Sequence, residues 1–108
     1  MSTQRSTADY LLQLLGSDHF AIRAMFGEYA LYCDSKVVAL ICDDLLFVKI
    51  LPASIRLESL CEKGEPYPGA RLHYLVEESQ WKSIDDLRDI LIDVAATLPA
   101  KKPKTKKE

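Results

Sequence analysis

Apolar positions follow three different rhythms along the 108 residues. Over residues 8–15, Leu11, Leu14 and Leu15 recur at helical spacing beside Tyr10, which predicts a helix. Ser6 or Thr7 can cap it, Ser6 and Asp9 have capping-box spacing, and Gly16 supplies the stop. From Phe20 to Ile50 the rhythm changes to short runs of β-branched, aromatic and aliphatic residues broken by polar pairs. Four strands are predicted there, over residues 20–26, 28–33, 36–42 and 45–50. Gly27-Glu28, Asp34-Ser35 and Asp43-Asp44 are the turn pairs. Connections this short dictate an antiparallel meander.

Turn geometry sets the register. A two-residue turn at Asp43-Asp44 pairs Cys42 with Leu45 and Leu40 with Phe47, and one at Asp34-Ser35 pairs Cys33 with Lys36. Carried across the meander, this places Tyr29, Leu31, Leu40 and Phe47 on one face, and Ala30, Tyr32, Ala39, Ile41 and Val48 on the other. Both faces are apolar, whereas a sheet with one wet face alternates apolar with polar. Each face therefore needs a cover. Three helical segments can cover one face and part of the second. The loop over residues 62–71 and the N-terminal helix could close the remainder, or it stays open as an interface.

Beyond Pro52 a helix is predicted over residues 53–62, with Ile55, Leu57, Leu60 and Cys61 as a broad apolar stripe and Gly64 after it. Pro66 and Pro68 stiffen the next loop. Residues 72–76 read as a fifth strand. The last helix is predicted over residues 83–98, with Ser83 and Asp86 as a capping-box pair, Asp85 at its positive end and Pro99 ending it. The expected fold is α+β: an antiparallel β-meander sheet with N-terminal, middle and C-terminal helices packed on it.

The length suits one domain, expected over residues 1–100. Residues 101–108 carry five lysines and one glutamate, +4 in all, so the other 100 residues carry −6 of the −2 total. This Lys-rich tail is expected to be disordered. Lys101, Lys102, Lys104, Lys106 and Lys107 can neutralise phosphates without reading sequence, which allows weak, non-specific nucleic-acid contact. No apolar run reaches the ~18 residues of a membrane span, and residues 1–7 lack an export pattern. A cytoplasmic protein with no membrane partner is expected. Cys33, Cys42 and Cys61 match no zinc or redox spacing. The register also holds Cys33 and Cys42 apart, so reduced, buried thiols are expected.

The run Arg23-Ala24-Met25-Phe26-Gly27-Glu28-Tyr29-Ala30-Leu31-Tyr32 resembles the Met-Phe-Gly segment of TfoX N-terminal domains. Val38-Ala39-Leu40-Ile41, Asp43-Asp44-Leu45-Leu46-Phe47-Val48-Lys49 and Tyr67-Pro68-Gly69-Ala70 are similar to that family too, as is the run from His73 to Val76 with the acidic helix after it. The resemblance spans residues 8–99. It implies a central antiparallel sheet, and for two-domain members a regulatory role in natural competence exerted with the transcription machinery. A single-domain member is expected, since the C-terminal helical domain of those regulators does not follow residue 99.

Candidate chemistry is sparse. His19 and His73 sit in no metal or triad motif, Asp43-Asp44 reads as a turn, and the glycines form no phosphate loop. No catalytic residue, metal ligand or cofactor is assigned. The expected function is a non-enzymatic regulatory or interaction domain acting through a protein partner or a homodimer, with Tyr29, Leu31, Tyr32, Leu40 and Phe47 as interface candidates. The alternative is a small-molecule-binding domain or enzyme with a pocket near residues 66–69, where Tyr67, Tyr74 and Trp81 could line a cavity.

Overall fold

Three tight turns organise the sheet. In a computed structural model describing residues 3–84 and 86–98, Phe26-Gly27, Asp34-Ser35 and Asp43-Asp44 each hold both central residues at positive φ. This is the mark of the type I′ turn, whose twist suits a hairpin. The turns join β1 (Phe20–Met25), β2 (Glu28–Cys33), β3 (Lys36–Cys42) and β4 (Leu45–Lys49), all within one residue of expectation. Cys33 pairs with Lys36, Cys42 with Leu45 and Leu40 with Phe47, as the turn chemistry requires. The first turn is displaced by one residue from its expected place. Met25 pairs with Glu28, so Phe26 and Gly27 form its centre.

The sheet extends past the meander. β5 (Glu62–Gly64) and β6 (His73–Val76) complete six strands in the order β1-β2-β3-β4-β6-β5, every neighbouring pair antiparallel. The helical stretch expected over residues 53–62 is formed only in its first half. A 3-10 helix covers Pro52–Leu57, and Glu62–Gly64 becomes an edge strand. Ser54 accounts for the tight winding: its hydroxyl donates to the Lys49 carbonyl at 2.7 Å and accepts the Leu51 amide at 3.0 Å. The expected apolar stripe splits: Leu57 is buried and Cys61 packs against the core, while Ile55 and Leu60 point to solvent.

A β-bulge reassigns the faces. Tyr32 pairs with Val37 but Leu31 pairs with Ala39, leaving Val38 as the extra residue. Past the bulge, β2 is one step out of its expected register with β3. Leu31 therefore shares a face with Ala39, Ile41, Leu46, Val48 and Tyr74. This face builds the core. Ala8, Leu11 and Leu15 of α1 (Arg5–Leu15) pack on it, with Leu57, Trp81 of α2 (Glu78–Trp81), and Ile90, Leu91 and Val94 of α3 (Leu87–Thr97).

Both long helices begin away from their expected caps. α1 starts three residues early, at Arg5, with no side-chain cap at Gln4. Tertiary bonds set this entry: Thr3 donates its amide to Gly27, and the Gln4 amide is held by Asp44 at 3.1 Å. Gly16 stops the helix as expected, at φ 89. α3 starts at Leu87, without a Ser83–Asp86 box; its expected first turn falls partly on Asp85, outside the described residues. Trp81 explains the late start, because its ring is buried and its indole N–H donates to the Val76 carbonyl at 3.1 Å. The short α2 takes residues 78–81 instead. At the far end Lys36 donates to the Ala95 and Leu98 carbonyls at 3.0 and 3.1 Å, a cation on the negative end of α3. Pro99 and the Lys-rich tail lie outside the described residues.

Candidate functional site

The helices leave the second sheet face to a loop. By strand alternation this face carries Arg23, Met25, Glu28, Ala30, Tyr32, Leu40, Cys42, Phe47 and Leu75. At the β5 rim it is closed. A Cβ on Gly64 would sit 3.3 Å from Leu75 and 3.5 Å from Phe47, and Phe47 is buried there. The chain then runs from Gly64 to His73 through Pro66, which is buried, and Tyr67, which is 55% exposed. At the opposite end of β1 and β2 stands the Phe26-Gly27 turn. Between turn and loop lies a groove of about 800 Å³. Met25, Phe26, Cys42, Pro66, Tyr67 and Pro68 give it an apolar lining. Its polar lining is all acidic: Glu28, Asp43 and Glu65.

Phe26 is the conspicuous residue of this groove. Its φ is 52°, a left-handed backbone that costs a side chain with a Cβ about 1–2 kcal/mol. Its ring is 98% exposed, so no burial offsets that cost. Gly or Asn would fold better at this position. Hydrogen bonds brace the turn despite the strain. Glu28 accepts the Thr3 hydroxyl at 2.6 Å and the Asp43 amide at 3.0 Å, which ties the β1–β2 turn to the β3–β4 turn and to the chain entry.

The expected candidates divide. Leu31 is fully buried in the core and Tyr29 packs against it, both under the helices, because the bulge turned them to that face. Leu31 is thereby closed off, whereas Tyr29 is half-buried. Phe47 lies on the helix-free face but is buried at the β5 rim. Tyr32 and Leu40 remain half-buried on that face, with the Arg23 guanidinium 6.0 Å from the Tyr32 ring centre. Tyr67, Tyr74 and Trp81 do not share a cavity. Tyr74 is buried on the helix side, its hydroxyl donating to Glu58 at 2.9 Å, and Trp81 stacks on Tyr10 with ring centres 6.2 Å apart. Only Tyr67 reaches the groove. Phe26 was absent from the expected set, although Met-Phe-Gly-Glu carries the signal: an x-Gly pair between two strands, with Phe in the place that Asn or Asp usually takes.

Both histidines sit outside the groove, and of the cysteines Cys42 alone lines it. His19 Nδ1 is 2.8 Å from Asp34, and Arg88 holds Asp18 at 2.6 Å while donating to the Leu15 carbonyl at 2.9 Å. The Arg88 hydrogen bond lowers the Asp18 pKa. Here charges compensate each other. The His73 ring nitrogen is engaged by the Arg71 carbonyl at 2.8 Å. All three cysteines are free. Burial pushes Cys33 and Cys42 up to about 11 and raises Cys61 as well, so none is a thiolate at neutral pH. Among the described residues no three His, Cys, Asp or Glu side chains gather as metal ligands, and no helix is long and apolar enough to cross a membrane.

Comparison with known proteins places this geometry. The family model for the TfoX N-terminal domain matches residues 11–96, from the middle of α1 to the end of α3. An uncharacterized 12.7 kDa protein in the trpE 5′ region of Spirochaeta aurantia is 37% identical over 108 residues, covering 99% of this chain and 93% of that protein.

Proposed function

The chain belongs to the TfoX N-terminal domain family, and on that premise we propose that it is a non-enzymatic interaction module. It docks another protein in the groove between the Phe26-Gly27 turn and the loop before β6, and exerts a regulatory effect through that partner. The observation that carries this reading is Phe26. A large aromatic ring held in a strained turn and 98% exposed does nothing for the fold. With Tyr67 opposite, it gives the groove two exposed aromatic anchors, the residue class that dominates binding energy at protein interfaces. Half-buried Tyr32 and Leu40 continue the same sheet face and extend the contact area. Small-molecule sites enclose most of their ligand, whereas both lips of this groove are open.

The test is site-specific photo-crosslinking in the native host. A photoreactive phenylalanine at position 26 or 67 is expected to yield a discrete protein adduct, and one at exposed Ser59 none. An adduct with a second copy identifies a homodimer. Absence of any adduct at 26 and 67, at native expression, overturns the reading.

A further inference from the structure

The inference concerns what the groove accepts, and it rests on the docking reading above. Glu28, Asp43 and Glu65 form its whole polar lining. None of the three takes part in an ion pair among the described residues. Elsewhere some acids are matched, Asp18 by Arg88, Asp86 and Asp93 by Arg56, Glu58 by Lys63, while Glu62, Glu77, Glu78 and Asp89 are scattered without an ion pair among the described residues. The groove thus concentrates uncompensated negative charge above an apolar floor. We propose that its occupant is an extended, basic segment of a partner protein, with lysine or arginine flanking a bulky apolar side chain.

The parts of such a segment have separate seats. The apolar side chain lies over Met25, Cys42 and Pro66, between the Phe26 and Tyr67 rings. The flanking cations meet Asp43 and Glu65, which are exposed at the rim. A cation over either ring gains a further attraction from its face. Glu28 is held by Thr3 and the Asp43 amide through one oxygen, Oε1, which fixes its carboxylate in the groove and leaves Oε2 outside those bonds. The same field repels nucleic acid and anionic lipid surfaces, which leaves a basic polypeptide as the matching macromolecule. An extended segment also suits the shape, because a groove open along its length admits a continuous chain.

The experiment titrates the 15N-labelled full chain with a seven-residue peptide alternating lysine and leucine, and with its counterpart carrying glutamate for lysine. The lysine peptide is expected to move the amide signals of Met25, Phe26, Asp43, Glu65 and Tyr67. The glutamate peptide should leave them in place. The double variant Asp43→Asn, Glu65→Gln is expected to bind the lysine peptide roughly three- to ten-fold more weakly, as loss of two exposed charge pairs implies. Raising the salt should weaken the wild type more than the variant. Equal shifts from both peptides would overturn the basic-partner inference and leave the docking groove standing. So would an unchanged affinity in the double variant, or lysine-peptide shifts confined to other parts of the acidic body. The docking reading itself falls only if crosslinking at positions 26 and 67 fails.

Discussion

Thr3 lies 2.6 Å from Glu28, hydroxyl to carboxylate, across 25 positions of sequence. One side chain thereby fastens the chain entry to the hairpin that presents Phe26. The same hydroxyl oxygen accepts the Asp44 amide at 3.2 Å, with the Ile41 carbonyl 3.1 Å away. Thr3 is buried. Thr3→Val keeps the shape and deletes the hydroxyl, leaving these groups without it. A loss of about 1–3 kcal/mol in a urea unfolding curve is expected. Faster hydrogen exchange at Asp43 and Asp44 should accompany it. Unchanged stability would show that the network does not fix the turns.

Phe26→Gly should act in the opposite direction. The left-handed φ suits glycine and no buried surface is lost, so folding stability is expected to rise by about 1 kcal/mol. Partner capture through position 67 should fall in the same variant. A variant that is both less stable and fully binding would show that the ring serves the fold.

Acid should weaken the fold through Glu58 and Asp18. Hydrogen bonds from Lys63 and Tyr74 lower the Glu58 pKa, and Arg88 lowers that of Asp18. A carboxylate with a lowered folded pKa binds protons more readily when unfolded, so its contribution exists above the unfolded pKa and disappears as pH falls through the folded one. The thermal midpoint should therefore drop from pH 5 toward pH 3. In Glu58→Gln that dependence should flatten, and an identical acid profile would contradict the assignment.

Alkali should act through the thiols. Cys33 and Cys42 are raised to about 11 by burial. A raised folded pKa stabilises below the unfolded value and is lost as pH climbs from about 9 through about 11. Disulfide-exchange labelling at pH 8 should find half-buried Cys61 first, while Cys33 and Cys42 react only as fast as the protein opens. Immediate labelling of all three would mean that the two strand thiols are accessible.

The meander was legible because turn chemistry and strand composition agree. Asp34-Ser35 and Asp43-Asp44 dictated both hairpin registers. The bulge was not legible, because Val38 and Ala39 are both apolar and either register gives two apolar faces. It turned Tyr29 and Leu31 to the face that the helices cover. Family resemblance and periodicity alike left β5 unseen, since Glu62-Lys63-Gly64 has no strand composition and gains its pairing only from β6. Tyr74 and Trp81 were drawn toward Tyr67 by proximity in sequence, but alternation along β6 and the indole bond to Val76 send them to the core. The groove was half-visible. Its proline loop was marked in advance, while its other lip depended on reading Phe26 as the turn itself.

The strand order also governs how the molecule assembles. Neighbours β1 to β4 close over two-residue links, whereas β4 must find β6 across a 23-residue connection. Short closures come first on entropic grounds. β5, although made before β6, has no seat until β6 is docked. A chain leaving the ribosome amino end first thus displays the Phe26 lip while the proline lip is still unanchored. Recognition has to wait for the last third of the polypeptide.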